Sequence, residues 1–85
     1  MEQRVDVIDV IRTILRDHGR LQAEAIRVGA GDDLYAAGMS SHASVNVMLA
    51  LEAAFDIEFP DRMLKRSVFQ SIDAIKAAVT ELQGG

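Results

Sequence analysis

Between Gly38 and Pro60 the chain passes through a long helical pattern, and this stretch constrains the fold more than any other. Val47, Leu51 and Phe55 fall at i, i+4 and i+8, with Met48 and Ala54 widening the stripe. The spacing predicts a helix over 41–55 that buries one face against other elements. His42, Val45 and Leu49 fall at i, i+3 and i+7 on a different side. A helix in so small a protein does not readily bury both stripes. The second stripe either widens the core face or stays exposed as an apolar patch, and such patches mark partner sites. Two serines, Ser40 and Ser41, stand where loop becomes helix. Serine is a preferred N-cap because its hydroxyl accepts a hydrogen bond from a free backbone N–H of the first turn. A helix start also presents unpaired N–H groups and the positive end of the dipole, which favour a nearby phosphate. An exposed hydroxyl at this junction is well placed to carry one.

The flanking segments read as further helices. Over 3–18, Val5, Ile8, Ile11 or Arg12, and Ile14 with Leu15 recur at helical spacing, and Gly19 is a natural stop in the left-handed position after the helix. Asp6 and Asp9 lie towards its start and Arg12, Arg16 and His18 towards its end, which complements the helix dipole. From Arg20 to Met39 the periodicity fails. A connection of about twenty residues needs anchors, and Leu21, Ile26, Val28, Leu34 and Met39 are the candidates. Gly29-Ala30-Gly31 lacks the lysine and preceding strand of a phosphate-binding loop and is set aside. After Pro60, Asp61 is a candidate N-cap for a short helix over 62–66 that carries Met63 and Leu64 inward. Its Arg62, Lys65 and Arg66 form the one basic cluster, read either as a solvated face or as a docking site. Ser71 caps a final helix in which Ile72, Ile75, Val79 and Leu82 keep a 3-4-3 spacing.

Composition narrows the class. Eighty-five residues, 49% of them hydrophobic, make one small domain (1–85) able to bury a modest core. With only four aromatics that core is aliphatic and suits helices packed on helices. A net charge of −4 argues against nucleic acid, whose backbone demands a basic surface. No apolar run reaches membrane-spanning length, and Met1-Glu2-Gln3-Arg4 is not the start of a signal peptide, so the expected compartment is the cytoplasm. The absence of cysteine excludes disulfides and thiolate metal sites.

Taken in order, Asp32-Asp33-Leu34-Tyr35, Gly38-Met39-Ser40-Ser41, Leu51-Glu52-Ala53-Ala54-Phe55 and Asp56-Ile57-Glu58-Phe59-Pro60-Asp61 resemble an acyl carrier protein, and the resemblance covers nearly the whole chain. Asp-Leu-Tyr-Ala-Ala-Gly ahead of a Ser-Ser pair is most similar to the small stand-alone aminoacyl carrier proteins of bacteria. The resemblance implies an all-α, acyl-carrier-protein-like four-helix bundle: three longer helices, a short third one and a long first loop. It implies that Ser41, on the pattern Gly-x-x-Ser, receives 4′-phosphopantetheine from coenzyme A through a phosphopantetheinyl transferase that uses Mg²⁺. It further implies a monomer that is no enzyme itself. Such a protein is loaded with a small amino acid such as glycine or alanine by an amino acid:carrier protein ligase resembling a class II aminoacyl-tRNA synthetase, and passes it to a downstream acceptor enzyme. In this family partners meet the second helix, so His42, Val45 and Leu49 are the expected docking residues, with Arg62, Lys65 and Arg66 as the competing site.

The sequence departs from the fatty-acid carriers. They have Asp before the modified serine and Leu after it, where this chain has Ser40 and His42. Their second helix is rich in Asp and Glu, whereas Glu52 is the only acid within 41–55. A carrier of fatty-acid or polyketide type is therefore the alternative. An enzyme using Ser41 and His42 as nucleophile and base is a poor fit, because neighbours on a helix point about 100° apart and no third group presents itself to orient the base. An adaptor bundle without cofactor accounts for the helices but not for the serine at the junction.

Overall fold

The computed structural model describes residues 6–21 and 27–84. Among them lie three α-helices and no strand. Asp6 is extended, and its carboxylate accepts from the Ile8 N–H at 2.9 Å, so α1 spans Val7–Ile14. Asp6 thus caps the helix that the sequence had placed it inside, and residues 3–5, with Val5, lie outside the described residues. Ile11 and Ile14 face inward. The winding then widens into a π-helical turn, Leu15–Gly19, that buries Leu15. Gly19 is not the left-handed stop. That conformation falls on Arg20 (φ 53°), while Gly19 stays buried inside the turn. Leu15 and Leu21 lie 3.4 Å and 3.7 Å from where a Cβ on Gly19 would sit, ordinary contact distances, so the position is buried without requiring glycine's backbone freedom.

The long connection is anchored as its apolar residues suggest. Val28, Leu34 and Met39 are buried and Leu21 half-buried, while Ile26 lies outside the described residues. The Arg12 guanidinium donates to the Val28 carbonyl at 2.6 Å, tying the loop to α1. The Leu34 N–H donates to the Gln70 carbonyl (2.7 Å) and the Asp73 N–H to the Ala30 carbonyl (2.9 Å), tying it to the last helix. At Gly29 the N–H donates to the Asp32 carboxylate at 2.8 Å. The position an anion would take in a glycine-rich phosphate loop is filled by the chain's own carboxylate, which gives the rejection of that motif a structural cause.

α2 spans Ser41–Phe55, the range its periodicity predicts. Its inner face is Ala43, Ser44, Val47 and Leu51. Phe55 is only half-buried and Ala54 is exposed, contrary to expectation. The reason is geometric: each i+4 step advances about 40° beyond a full turn, so a stripe of pure i+4 steps rotates out of the core by its last member. The helix ends on Asp56 in the left-handed region (φ 52°). The Glu52 carboxylate reaches over this end and accepts from the Phe59 N–H at 2.9 Å.

The short helix expected over 62–66 does not form. Two single 3₁₀ turns, Asp61–Met63 and Arg66–Val68, stand in its place, and Pro60, not Asp61, flanks the first. The extended backbone of Lys65 (φ −144°, ψ 158°) breaks the winding between them. Met63 is buried as expected, but Leu64 is 50% exposed. The inward position is filled by Phe69, whose ring packs on Phe59 with centroids 5.2 Å apart. α3 spans Ile72–Leu82, capped by the Ser71 hydroxyl, which accepts from the Ala74 N–H at 3.0 Å. Ile72, Ile75 and Val79 are fully buried and Leu82 partly so, in agreement with the spacing.

Candidate functional site

The start of α2 is set by the turn before it. The Asp33 carboxylate accepts from the Tyr35 N–H at 2.9 Å, and the chain winds through 34–38 with the Met39 N–H returning to the Leu34 carbonyl at 3.0 Å. Leaving that turn requires φ 118° at Gly38. A residue with a Cβ reaches that value only under strain, which is why glycine opens the Gly-x-x-Ser pattern. Ser40 is then extended (φ −79°, ψ 166°), and its hydroxyl accepts from the Ala43 N–H at 3.0 Å. Ser40 is the N-cap. Ser41, the first helical residue, is exposed, and among the described residues its hydroxyl has no hydrogen-bond partner. Its carbonyl accepts from the Ser44 hydroxyl at 2.7 Å, which fixes the backbone beneath it.

Beside Ser41 lies an open groove of about 340 Å³. Besides Ser41 it is lined by Ser44, Val45 and Met48 of α2, by Leu64, Lys65, Arg66 and Phe69 of the segment before α3, and by Tyr35. The basic cluster is divided. Arg62 turns away to the Glu81 carboxylate, 2.7 Å distant, whereas Lys65 and Arg66 line the groove. The Arg66 guanidinium carbon stands 4.0 Å from the centre of the Tyr35 ring. The exposed stripe is divided as well. Val45 (49% exposed) belongs to the groove, Leu49 (53% exposed) to a shallower depression with His18 and the α1 end, and His42 is exposed outside both. Sequence reasoning did not single out Tyr35, Ser44 or Phe69 as groove residues. Ser44 had a signal, because i+3 from Ser41 puts it on the same side of the helix; the aromatic pair had none. No hydrogen bond joins Ser41 to His42, so the pair has no geometry of nucleophile and base. Among the described residues no cluster of side chains could hold a metal ion, and no helix is long and apolar enough to cross a membrane.

An exposed, unpartnered serine hydroxyl beside two cations is suited to an attached phosphate. Comparison with known proteins decides the matter of family: residues 6–79 match the family described as phosphopantetheine attachment site. The chain belongs to that family. Phosphopantetheine-attachment proteins carry the 4′-phosphopantetheine group covalently and act as carriers, not as enzymes. One similar member is the aminoacyl carrier protein of Agrobacterium fabrum, 49% identical over 75 residues that span 88% of this chain and 90% of that one. The fold is similar to a chain in the crystal structure of an engineered Bradyrhizobium japonicum glycine:[carrier protein] ligase complexed with carrier protein from Agrobacterium tumefaciens and AMP. That likeness has a TM-score of 0.84 at 49% identity and covers 86% of this chain and 97% of the other. A chain in the structure of the Bradyrhizobium japonicum ligase complexed with glycylated carrier protein is also similar, with a TM-score of 0.72 at 26% identity over 85% of this chain and 96% of that one. The residues around Ser41 fit the family's group: the hydroxyl is exposed, no acid lines the groove, and Val45, Met48, Leu64 and Phe69 make much of its lining apolar.

Proposed function

We propose that Ser41 Oγ is the attachment point of 4′-phosphopantetheine and that the protein, acting as one cytoplasmic, monomeric carrier domain over 1–85, holds a small aminoacyl group such as glycine for partner enzymes. The observation that carries this reading is the division of labour between adjacent serines. Ser40 is spent on the cap, and Ser41 is left exposed with an unpartnered hydroxyl. Ser41 Oγ would hold the group through a phosphodiester: a transferase would pass it from coenzyme A with the pyrophosphate P–O bond broken, 3′,5′-ADP leaving and the serine proton taken up by a base of the transferase. When bound, the group supplies a thiol that holds the aminoacyl cargo as a thioester. The chain's own residues do the rest. Gly38 and Ser40 fix where the hydroxyl points, Ser44 holds the backbone below it, and Val45 with Leu49 offers apolar area for a loading enzyme. The pair of 3₁₀ turns over 61–68 takes the place of the family's short third helix.

The partner reading rests on the similar chains, which occur in structures of a glycine:[carrier protein] ligase complexed with carrier protein. It is supported by the character of α2. Its single acid, Glu52, has its carboxylate occupied by the Phe59 N–H, so the helix offers no acidic rail of the fatty-acid type. A carrier of fatty-acid or polyketide type is the less favoured alternative for that reason.

The test is intact mass after incubation with coenzyme A and a phosphopantetheinyl transferase. Wild type and Ser40→Ala gain the group, Ser41→Ala does not, and the helical circular dichroism of Ser41→Ala matches wild type. Modification that survives Ser41→Ala and disappears in Ser40→Ala would place the site one residue earlier and end this reading. Loading of the modified protein with each amino acid in turn, by candidate ligases and ATP, then identifies the cargo.

A further inference from the structure

We propose that Arg66, together with Lys65, holds the phosphodiester of the attached arm within this same chain, and that the Tyr35 ring keeps Arg66 aimed for it. The proposal rests on the reading of Ser41 as the attachment point and concerns what the chain does once modified. Three observations converge on it. Of the three basic residues over 62–66, Arg62 is committed to Glu81 at 2.7 Å, while Arg66 has no carboxylate partner among the described residues. Its guanidinium instead lies over Tyr35, 4.0 Å from the ring centre. Second, Ser41, Tyr35, Lys65 and Arg66 line one groove, so an anion fixed on Ser41 Oγ enters the space these side chains border. Third, no acidic side chain lines that groove and none lies in the first turn of α2, so no carboxylate competes for the two cations.

The chemistry of the stack suits this role. A guanidinium lying over an aromatic face is held by the ring's charge distribution, yet its in-plane N–H groups stay available as donors. Stacking also removes side-chain freedom beforehand, so less is lost when the N–H edge meets a phosphate oxygen. Lys65 adds a compact charge in the same groove. Arg66 and Lys65 are positioning residues: they fix where the arm leaves the protein without taking part in any bond change.

The experiment separates this proposal from the attachment reading. Intact mass comes first; a wild type that gains no group overturns the attachment reading and this proposal with it. On modified protein, phosphorus NMR then reads the phosphodiester line, and nitrogen NMR reads the Arg66 Nε–Hε resonance. The Arg66 resonance is expected to move between the unmodified and modified wild type. In Lys65→Ala/Arg66→Ala the phosphorus line is expected to sharpen and shift towards that of the free arm. The loss of held population should be about two- to fivefold, the scale of exposed charge pairs. Tyr35→Leu keeps both cations and should fall between the two. Salt at about 0.5 M should move wild type towards the double variant, because exposed pairs are screened. If wild type and double variant, both fully modified, share one phosphorus line at low salt, the arm is not held by these residues. Should the double variant resist the transferase, the wild-type salt series and the Arg66 resonance decide: an Arg66 signal unchanged by modification overturns the proposal.

Discussion

Val47 and Val45 are the same residue two positions apart on one helix; the first is fully buried and the second 49% exposed. Leu51 and Leu49 repeat the contrast, at 0% and 53%. Side-chain chemistry is identical within each pair, so what separates them is which neighbours the rest of the chain brings to each face. α1, with its π-helical end, packs on the face that carries Val47 and Leu51, whereas among the described residues Leu49 is left half-exposed in a shallow depression and Val45 lines an open groove. Apolar area on α2 thus does two different things. One face holds the domain together, and the other stays exposed, which is where docking is proposed.

The sharpest way to break this contrast is to truncate both leucines. Leu51→Ala should lower the free energy of unfolding by about 2–5 kcal/mol, a large share of the stability of so small a domain. Leu49→Ala should change it by less than about 0.5 kcal/mol. Denaturant melts of the two variants check this, and equal losses would show that α2 has no free face. Next in size is the effect on loading. Burying one such side chain at an interface is worth about 1.5–3 kcal/mol, so Val45→Asp and Leu49→Asp, once shown to be folded, should slow loading by the ligase roughly tenfold or more, with little dependence on salt. His42→Ala tests the third member of the stripe, which stands apart from both hollows. Normal loading of the two Asp variants, with failure of Arg66→Glu and a steep salt dependence, would move docking to the 62–66 segment. The smallest effect belongs to the junction. Ser40→Ala removes the cap and should cost about 0.5–2 kcal/mol in a thermal or denaturant melt, leaving the mass gain at Ser41 intact.

The contrast also marks how far the sequence could be read. Local chemistry carried α2 and α3 with their serine caps, because a cap and an apolar period each act within a few residues. The exposure of Val45 and Leu49 followed from simple geometry, since a single helix cannot bury two separated stripes in a small bundle. The assignments that failed depended on distant partners. Phe55 continued the stripe on paper, but the rotation of i+4 steps carried it to the edge of the core, and Leu51 bears the burial expected of it. The short helix over 62–66 had helical residues in place, yet Phe69 takes the inward position and leaves Leu64 in solvent. Gly19 looked like a stop because glycine tolerates the left-handed region, whereas Arg20 takes that conformation and Gly19 lies buried beside Leu15 and Leu21. The groove beside Ser41 was legible only in part: Val45, Lys65 and Arg66 stood out one by one, but Tyr35 and Arg66 are thirty-one positions apart, and only the folded chain stacks them.

Glu52 has a consequence in kinetics. Its carboxylate accepts from the Phe59 N–H at the far end of α2, so the helix carries a single acid and no acidic row near Ser41. Long-range charge attraction raises encounter rates well above the unsteered range of about 10⁵–10⁶ M⁻¹s⁻¹, and an enzyme that captures acidic carriers gains that advantage only from them. The start of α2, with no acid in its first turn, adds little to such steering. Stopped-flow association with the loading ligase should show a rate in the unsteered range that changes little with ionic strength, and a rate that falls steeply with salt would show that charge elsewhere on the surface guides the encounter.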